Sequence, residues 1–250
     1  MKLHRFLLSK NILQPLGEEI KITEKDLLHQ WNNVLKFKIN EKISLFNGIL
    51  EKDFIYKIKY INNKIAILEF DNKIKNISQK KEVGNINLCI SVTKKEKISL
   101  IIEKCTEIGV LNFISLISDR TEKKNIKSFN SKKIMKIAKE AIEQSGWSSI
   151  PVIQDPKKLY NVIKEIENKG ELEKIIILHT FDSKKHINTI TYKENLKKLG
   201  FSYIFIGPEG GWSDKELDFF ENKKLCFINF GKNILRTETA AIVSTFLLSL

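Results

Sequence analysis

Three short segments concentrate the residue types that could do chemistry. They are Leu178-His179-Thr180, the run Gly207-Pro-Glu-Gly-Gly211, and the run from Phe230 to Thr239, and each follows a short apolar stretch. Glycines allow a backbone to approach a ligand without interference from a Cβ atom. The alternative for the glycine run is a sharp turn between a strand and a helix that binds nothing. Since neither a GxGxxG fingerprint nor a GxxxxGK motif followed by Ser or Thr is present, the sequence does not predict a pyrophosphate site.

The third segment contains an arginine in a chain that uses very few. Of the 43 Lys and Arg residues, only Arg5, Arg120 and Arg236 are arginine. A guanidinium group is a rigid fork of donors that lysine cannot copy. The three arginines are therefore candidate sites where that fork is required. For Arg236 the alternative is a structural salt bridge to Glu209 or Glu238.

The charge balance of the 250 residues is strongly basic, with a formal net charge of +13. The surplus ends before the last fifty residues, which carry 5 basic and 6 acidic side chains. Such a field suits nucleic acid first and an anionic membrane surface second, and the alternative is solubility combined with base composition.

Composition also excludes several classes of protein. With 42% hydrophobic residues, eleven Gly and four Pro, the chain is neither disordered nor rich in linkers. No apolar run approaches the roughly 20 residues that span a bilayer, so we expect no membrane partner. Three widely spaced cysteines form neither a zinc pattern nor a disulfide framework, which fits a reducing cytoplasm and no metal.

The first 80 residues have the pattern of a small β-rich domain. Apolar spacing predicts a helix over 27–35 after a capping box at 23–26, a strand over 43–46, and a hairpin of strands 54–60 and 65–70. Residues 73–85 are polar and weakly patterned, which predicts a linker.

From residue 86 onward the pattern changes to alternating strands and helices, which favours a parallel α/β sheet. Capping boxes at Thr93–Glu96 and Ser213–Glu216 predict two helix starts. Further helices are expected over 132–145 and at the apolar C-terminus, and strands over 86–92, 113–117, 175–178, 203–206 and 225–230. Ligands of open parallel sheets bind beyond the carboxyl ends of the strands, where the three segments lie.

The motifs of these segments closely resemble a known family. Gly207–Gly211 followed by Ser213 and Glu216, together with Ile234-Leu-Arg-Thr-Glu-Thr-Ala240, resemble the signatures of the RsmE family of 16S rRNA (uracil-N3)-methyltransferases, in the SPOUT class. Other segments agree in order along nearly the whole chain: His4-Arg5-Phe6, Leu45-Phe-Asn-Gly48, Glu103–Gly109, Ser118-Asp-Arg120 and Glu140–Gly146. All three arginines fall on motif positions of the family.

The resemblance implies an α/β fold with two domains: a PUA-like β-barrel RNA-binding domain over 1–75 and a trefoil-knotted SPOUT methyltransferase domain with a parallel sheet over 76–250. It also implies a homodimer and the cofactor S-adenosyl-L-methionine (SAM). Carried over residue by residue, the expected cofactor-binding residues are Leu178, His179, Gly207, Gly210, Gly211, Phe230, Gly231, Ile234, Leu235 and Thr237. Phe230 stands where the family more often has leucine.

The implied activity is methylation of N3 of a specific uridine in 16S rRNA of the small ribosomal subunit. Arg236 is the candidate for holding the uracil carbonyl, and Glu209 or Glu238 either orients Arg236 or accepts the N3 proton. His179 is another candidate base. The residues expected on the RNA side are Arg5, Lys36, Arg120, Gln144 and Trp147.

Two of these positions depart from the family, which usually has arginine where this chain has Lys36 and Trp147. Lysine keeps the charge but loses bidentate geometry. Trp147 could stack on a base or pack in the protein. Two alternative functions remain: a non-catalytic RNA-binding factor for ribosome assembly, and a SPOUT methyltransferase acting on another nucleotide or on tRNA.

Overall fold

The structure of the chain, a computed structural model, describes residues 3–8, 19–48, 52–76, 85–180, 201–230 and 233–249. The chain forms two compact units, residues 1–80 with 142–150 and residues 81–141 with 151–250. Residues 142–150 thus group with the first unit, although the division after residue 75 assigns them to the second domain. Within the described ranges, no helix is long and apolar enough to cross a membrane.

The first unit is built on a five-stranded sheet with the strand order β1-β3-β4-β5-β2. Its strands are β1 (Arg5–Leu7), β2 (Glu19–Ile22), β3 (Lys42–Phe46), β4 (Lys52–Ile61) and β5 (Ala66–Asn76). The pair β1–β3 is parallel and the other neighbours are antiparallel. The predicted hairpin is confirmed as β4–β5, and the side chain of Asn62 fixes its turn by accepting hydrogen bonds from the backbone N–H groups of Lys64 and Ile65.

One helical segment closes the core of this sheet. It comprises α1 (Lys25–His29) and a π-helical turn (Gln30–Val34), so the predicted helix is confirmed with an earlier start. Its apolar face buries Trp31 among the strand side chains. The predicted capping box at 23–26 is wrong, because the N-cap is Glu24 and its side chain does not cap the first turn of α1.

The linker predicted over 73–85 is only partly compatible with the structure. Strand β5 continues to Asn76, and the first strand of the second unit begins at Asn85. The intervening residues 77–84 lie outside the described part of the chain.

The second unit is the predicted parallel α/β domain, and its six-stranded sheet has the order β11-β9-β10-β6-β7-β8. All neighbouring strands are parallel. The strands are β6 (Asn85–Ser91), β7 (Asn112–Ile117), β8 (Val152–Lys158), β9 (Ile175–Leu178), β10 (Phe201–Ile206) and β11 (Cys226–Ile228). The edge strand β8 was not predicted.

Helices cover both faces of this sheet. They are α2 (Lys95–Ile108), α3 (Lys123–Ser128), α4 (Ser131–Ser145), α5 (Leu159–Glu167), α6 (Asp214–Asn222) and α7 (Thr237–Ser249). Side chains alternate between the faces: Leu88 and Ile90 pack with α2 and α7, whereas Cys89 packs with α5 and α6. Burial on both sides explains the continuous apolar strands. The carboxyl ends of β9, β10 and β11 consequently meet at one edge.

Candidate active site

A cavity of about 530 Å³ lies at that edge of the second unit. The three segments that follow β9, β10 and β11 form most of its wall, and the first turn of α2 and the loop after β7 contribute one side chain each, Lys97 and Arg120. The sequence prediction that the three segments meet is confirmed. The shared sheet edge brings together three segments that span about sixty positions of the chain, and Lys97 joins them from much earlier in the sequence.

Trp212 holds two of these segments in place. Its indole is 2% exposed, and its Nε1 donates a hydrogen bond to the carbonyl of Leu178 at 2.9 Å. The ring lies against Gly207, where an added Cβ atom would stand 3.2 Å from the indole. Gly207 is therefore required by the close approach of the buried ring.

The predicted capping box after the glycine run is confirmed. Its two residues, Ser213 and Glu216, also form hydrogen bonds with Asp119 in the loop after β7. The backbone N–H of Ser213 donates to Glu216 Oε2 at 2.7 Å, and that of Glu216 donates to Ser213 Oγ at 3.1 Å. The other oxygen of the buried Glu216 carboxylate accepts the N–H of Asp119 at 2.9 Å. Ser213 Oγ in turn donates to Asp119 Oδ2 at 2.6 Å. These bonds fix the loop after β7 against the glycine run.

Arg120 lies on that fixed loop and reaches the glycine run directly. Its Nη1 donates to the carbonyl of Gly210 at 2.8 Å, and the exposed side chain lines the cavity. Sequence reasoning placed Arg120 on the RNA side, and the structure places it at the rim of the same cavity as Arg236.

Glu209 is the acidic side chain in the cavity wall. Its Oε1 accepts a hydrogen bond from Thr93 Oγ1 at 2.6 Å and lies 3.3 Å from Lys97 Nζ. Partial burial raises the pKa of Glu209, but the hydrogen bonds from Thr93, from its own backbone N–H and from Lys97 outweigh burial and lower the pKa overall. The carboxylate is ionised at neutral pH. The predicted capping box at 93–96 is wrong because the Thr93 hydroxyl is engaged by Glu209 and α2 begins from Lys94 as its N-cap.

Glu238 is the second carboxylate of the cluster and lies in the first turn of α7. Its Oε2 is 3.6 Å from Lys97 Nζ, and the side chain is absent from the cavity wall. A negative side chain in the first turn also interacts favourably with the positive end of the helix dipole. Lys97 thus bridges both carboxylates, and the salt bridge from Arg236 to either of them, which was the alternative considered from the sequence, does not occur.

Arg236 occupies the N-cap position of α7. Its carbonyl accepts the backbone N–H of Ala240 at 2.8 Å. The exposed guanidinium lines the cavity and makes no hydrogen bond or ion pair within the described residues. Its place in the wall lets it face a ligand in the cavity.

His179 follows β9 in the cavity wall. Its backbone N–H donates to the carbonyl of Ile228 at 3.1 Å, which ties β9 to β11. Burial lowers the pKa of the imidazole below its ordinary value, so the ring is neutral at pH 7.

Nine of the ten residues predicted to bind the cofactor line this cavity. The following all line the cavity: Leu178, His179, Gly207, Gly210, Gly211, Phe230, Ile234, Leu235 and Thr237. Gly231 lies outside the described residues. Of the predicted catalytic residues, Arg236 and Glu209 line the cavity and Glu238 stands behind Lys97.

The residues predicted to contact RNA are divided between the two units. Besides Arg120, the other four belong to the first unit. Lys36 and Gln144 are exposed, and Lys36 has a left-handed backbone with φ of 53°. Trp147 packs against the cluster formed by Leu7, Phe46 and Ile142, as the packing alternative expected.

Arg5 is buried in the first unit. Its side chain is 12% exposed and forms a bidentate pair with Asp53 at 2.7 and 3.0 Å, while Nη1 donates to the carbonyls of Ile142 and Trp147. The guanidinium also lies 4.0 Å above the ring of Phe46. With its donors engaged inside the protein, the geometry does not support the predicted RNA contact of Arg5.

The wall of the cavity fits SAM. Its volume is in the range of sites for ligands of this size. Backbone at three glycines can contact a ribose or an amino acid moiety, and Ile234, which is 82% exposed, presents apolar surface. Glu209 places an ionised carboxylate in the wall, which suits a sulfonium cation, and Arg120 and Arg236 line other parts of the same cavity.

Sequence reasoning missed Lys97, Thr93 and Trp212. Trp212 follows the glycine run directly, so its position was a usable signal. Lys97 is one of 40 lysines, and nothing in its local sequence distinguishes it.

The model of the family described as "RNA methyltransferase domain" matches residues 79–249, so the fold and the site define the chain as an RNA methyltransferase domain protein by class. A protein called ribosomal RNA small subunit methyltransferase E from Rickettsia conorii is 26% identical over 245 residues, 98% of this chain and 94% of that protein. The protein of the same name from Buchnera aphidicola subsp. Acyrthosiphon pisum is 32% identical over 219 residues, 86% of this chain and 82% of that protein. The chain therefore belongs to the ribosomal RNA small subunit methyltransferase E family.

Two solved structures share the fold, an α/β methyltransferase with a parallel sheet. The ribosomal RNA small subunit methyltransferase E from Neisseria gonorrhoeae, bound to S-adenosyl methionine, has a TM-score of 0.77 at 22% identity and covers 98% of this chain and 95% of its own. A methyltransferase from Legionella pneumophila in complex with SAM has a TM-score of 0.79 at 22% identity, with coverage of 99% and 97%.

Proposed function

We propose that the chain transfers a methyl group from SAM to N3 of a uridine in 16S rRNA of the small ribosomal subunit. The observation that carries the proposal is the convergence of the glycine run and the segment around Arg236 on one cavity. Membership of the family and the names of its relatives support small-subunit rRNA as substrate. The two solved structures of the same fold that contain SAM support SAM as cofactor.

The cofactor would be held by the backbone at Leu178, Gly207 and Gly210 and by the apolar side chains of the third segment. When bound, SAM supplies an electrophilic methyl group. The chain must keep that group and the target base in a near-attack arrangement, and positioning of this kind lowers a barrier by ~7–11 kcal/mol.

The target nitrogen of uracil carries a proton and is a poor nucleophile until that proton leaves. The exposed guanidinium of Arg236 in the cavity wall would hold a uracil carbonyl and stabilise the negative charge that develops on it. A carboxylate of the Glu209–Glu238 cluster would accept the proton. The base must be unstacked to reach the cavity, and unstacking costs a few kcal/mol.

The finer architecture is part of the proposal. We infer a PUA-like barrel over 1–75, for which the closely paired five-stranded sheet is the support. We infer a trefoil knot within 76–250, because β11 pairs with β9 at the sheet edge while the helix that follows it packs back on β10, β6 and α2.

The surface of the first unit and the cavity rim would contact RNA through phosphates and 2′-hydroxyls. Lys36, Gln144 and Arg120 are retained for this role because each is exposed. A homodimer is proposed on the exposed apolar side chains Leu100 of α2 and Phe246 of α7, two helices that pack together. Three free thiols fit a cytoplasmic location.

Nucleoside mass spectrometry of 16S rRNA from a deletion strain tests the proposal. Loss of 3-methyluridine, and its return when the gene is restored, is expected. Loss of a different methylated nucleoside would redirect the activity to another site. Calorimetric titration with SAM separates an enzyme from a non-catalytic assembly factor, because only the enzyme needs to bind the cofactor.

A further inference from the structure

Lys97 pairs with two carboxylates, Glu209 and Glu238, whose roles the sequence could not distinguish. We propose that Glu209 is the carboxylate that faces the substrate and accepts the uridine N3 proton, and that Thr93 and Lys97 are positioning residues that fix it. Glu238 then anchors Lys97 and does not touch the substrate. The inference rests on the proposed function for its reaction, and on geometry alone for the hierarchy of residues.

Access to the cavity distinguishes the two carboxylates. Glu209 lines the cavity with its side chain 36% exposed. The side chain of Glu238 is 14% exposed and absent from the wall, and its Oε2 is buried without a hydrogen bond. A carboxylate in that position cannot reach a bound base, whereas its charge can hold the ammonium group 3.6 Å away.

The two side-chain contacts of Glu209 that the described residues provide fall on one of its oxygens. Both the Thr93 hydroxyl and the Lys97 ammonium approach Oε1, at 2.6 and 3.3 Å. An ionised carboxylate has about four acceptor sites, so Oε2 retains capacity for a ligand proton. A charge-assisted bond as short as that from Thr93 fixes the orientation of the group. The lowered pKa of Glu209 agrees with these donors.

Lys97 links three elements of the site. It projects from the first turn of α2 toward Glu209 in the glycine run and Glu238 in the first turn of α7. The N-cap of α2 is Lys94, so Thr93 lies just before the helix and its hydroxyl donates to Glu209 instead of capping the first turn. Thr93 and Lys97 therefore both hold Glu209 from the N-terminal end of α2.

The proposed step moves one proton. The N3–H bond of the bound uracil breaks, its electron pair stays on N3, and the proton bonds to Glu209. Among the described residues, the other charged or titratable groups around the cavity are Lys97, Arg120, His179 and Arg236, with Glu238 behind Lys97.

The first test needs neither cofactor nor RNA. The carboxyl carbons of the full chain, labelled with ¹³C at glutamate, are titrated by NMR, and Glu209 is assigned with Glu209→Gln. We expect Lys97→Met and Thr93→Val each to raise the pKa of Glu209, and Lys97→Arg and Thr93→Ser to restore it. Lys104→Met is the matched control, since Lys104 lies two turns along the same helix and pairs with Glu103 and Glu107. An unchanged Glu209 pKa in both Lys97→Met and Thr93→Val would overturn the positioning role.

The second test ranks the carboxylates by methyl transfer to small subunits. We expect Glu209→Gln to lower kcat by about 100-fold or more, as for loss of a general base. Glu238→Gln should lower it at least tenfold less, and Lys97→Met should lower kcat without changing KM while moving the acidic limb of its pH profile upward. A larger loss of kcat for Glu238→Gln than for Glu209→Gln would show that Glu209 is not the carboxylate that accepts the proton. A wild-type chain that transfers no methyl group would contradict the proposed function and leave the NMR result standing.

Discussion

The indole Nε1 of Trp212 donates a hydrogen bond to the carbonyl of Leu178 at 2.9 Å. This bond joins the loop after β10 to the end of β9, and so connects two walls of the cavity. Leu178 would otherwise present an unpaired carbonyl beside a buried ring. The bond therefore couples the shape of the site to the stability of the sheet edge.

Trp212→Phe should weaken both properties. The phenyl ring keeps most of the packing but leaves the Leu178 carbonyl without its donor, which costs about 1–3 kcal/mol. We expect a lower free energy of unfolding in urea and weaker SAM binding by calorimetry. Trp31→Phe is the control, because the buried Nε1 of Trp31 has no hydrogen-bond partner within the described residues. Equal SAM affinity in wild type and Trp212→Phe would show that the bond does not shape the cavity.

Gly207→Ala should destabilise the same wall. The new Cβ atom would lie 3.2 Å from the Trp212 ring, which is buried and tied to Leu178 and cannot retreat. Overpacking of this kind costs typically about 1–3 kcal/mol. At Gly210 the nearest atom to an added Cβ is 3.5 Å away on the flexible Arg120 side chain, so Gly210→Ala should lower the melting temperature less. The reverse order of melting temperatures would contradict this packing argument.

Local patterns predicted the second unit well because they coincide with its global fold. Apolar runs and the Ser213–Glu216 capping box are short-range signals, and the rule on carboxyl ends converted them into a site. Contacts between distant residues were not readable: Thr93 looks like a helix cap until Glu209, 116 residues away, takes its hydroxyl. Strand β8 was missed because its polar residues and Pro156 form an edge strand without an apolar pattern.

The sequence also did not show that the charge of Arg5 is paired inside the protein. Arg5 was grouped with the RNA-binding residues through the family resemblance, and its partner Asp53 lies on another strand. The scarcity of arginine did point to positions where a guanidinium group makes contacts that lysine cannot copy. For Arg5 that fork binds the protein itself.

Arg5→Met should therefore unfold the first unit more readily and should not act mainly on RNA. Removing one member of a buried ion pair costs about 3–5 kcal/mol, and the Asp53 side chain is only 3% exposed. The exposed Lys36 gives the contrast: Lys36→Met should change the free energy of unfolding by about 0.5 kcal/mol or less and weaken rRNA binding. Chemical denaturation and filter binding of both variants check this. A fully stable Arg5→Met chain with weak RNA binding would restore the original assignment.

Acid should destabilise the second unit through His179. Burial lowers the pKa of the folded imidazole below 6.5, its unfolded value, so the unfolded state binds the proton first. The contribution of His179 to stability is present above pH 6.5 and is lost as pH falls through the folded pKa. His179→Gln should flatten the dependence of the free energy of unfolding on pH between 7 and 5. A slope in His179→Gln equal to that of the wild type would contradict the burial argument.

Methyl transfer in a purified system tests the central claim most directly. Small ribosomal subunits from the deletion strain, the chain and SAM carrying an isotopically labelled methyl group are combined, and the digested 16S rRNA is analysed by mass spectrometry. The account predicts labelled 3-methyluridine at one position with the wild type and a loss of about 10²–10³ in rate with Arg236→Ala. Full transfer by Arg236→Ala, or label in any other nucleoside, would contradict it.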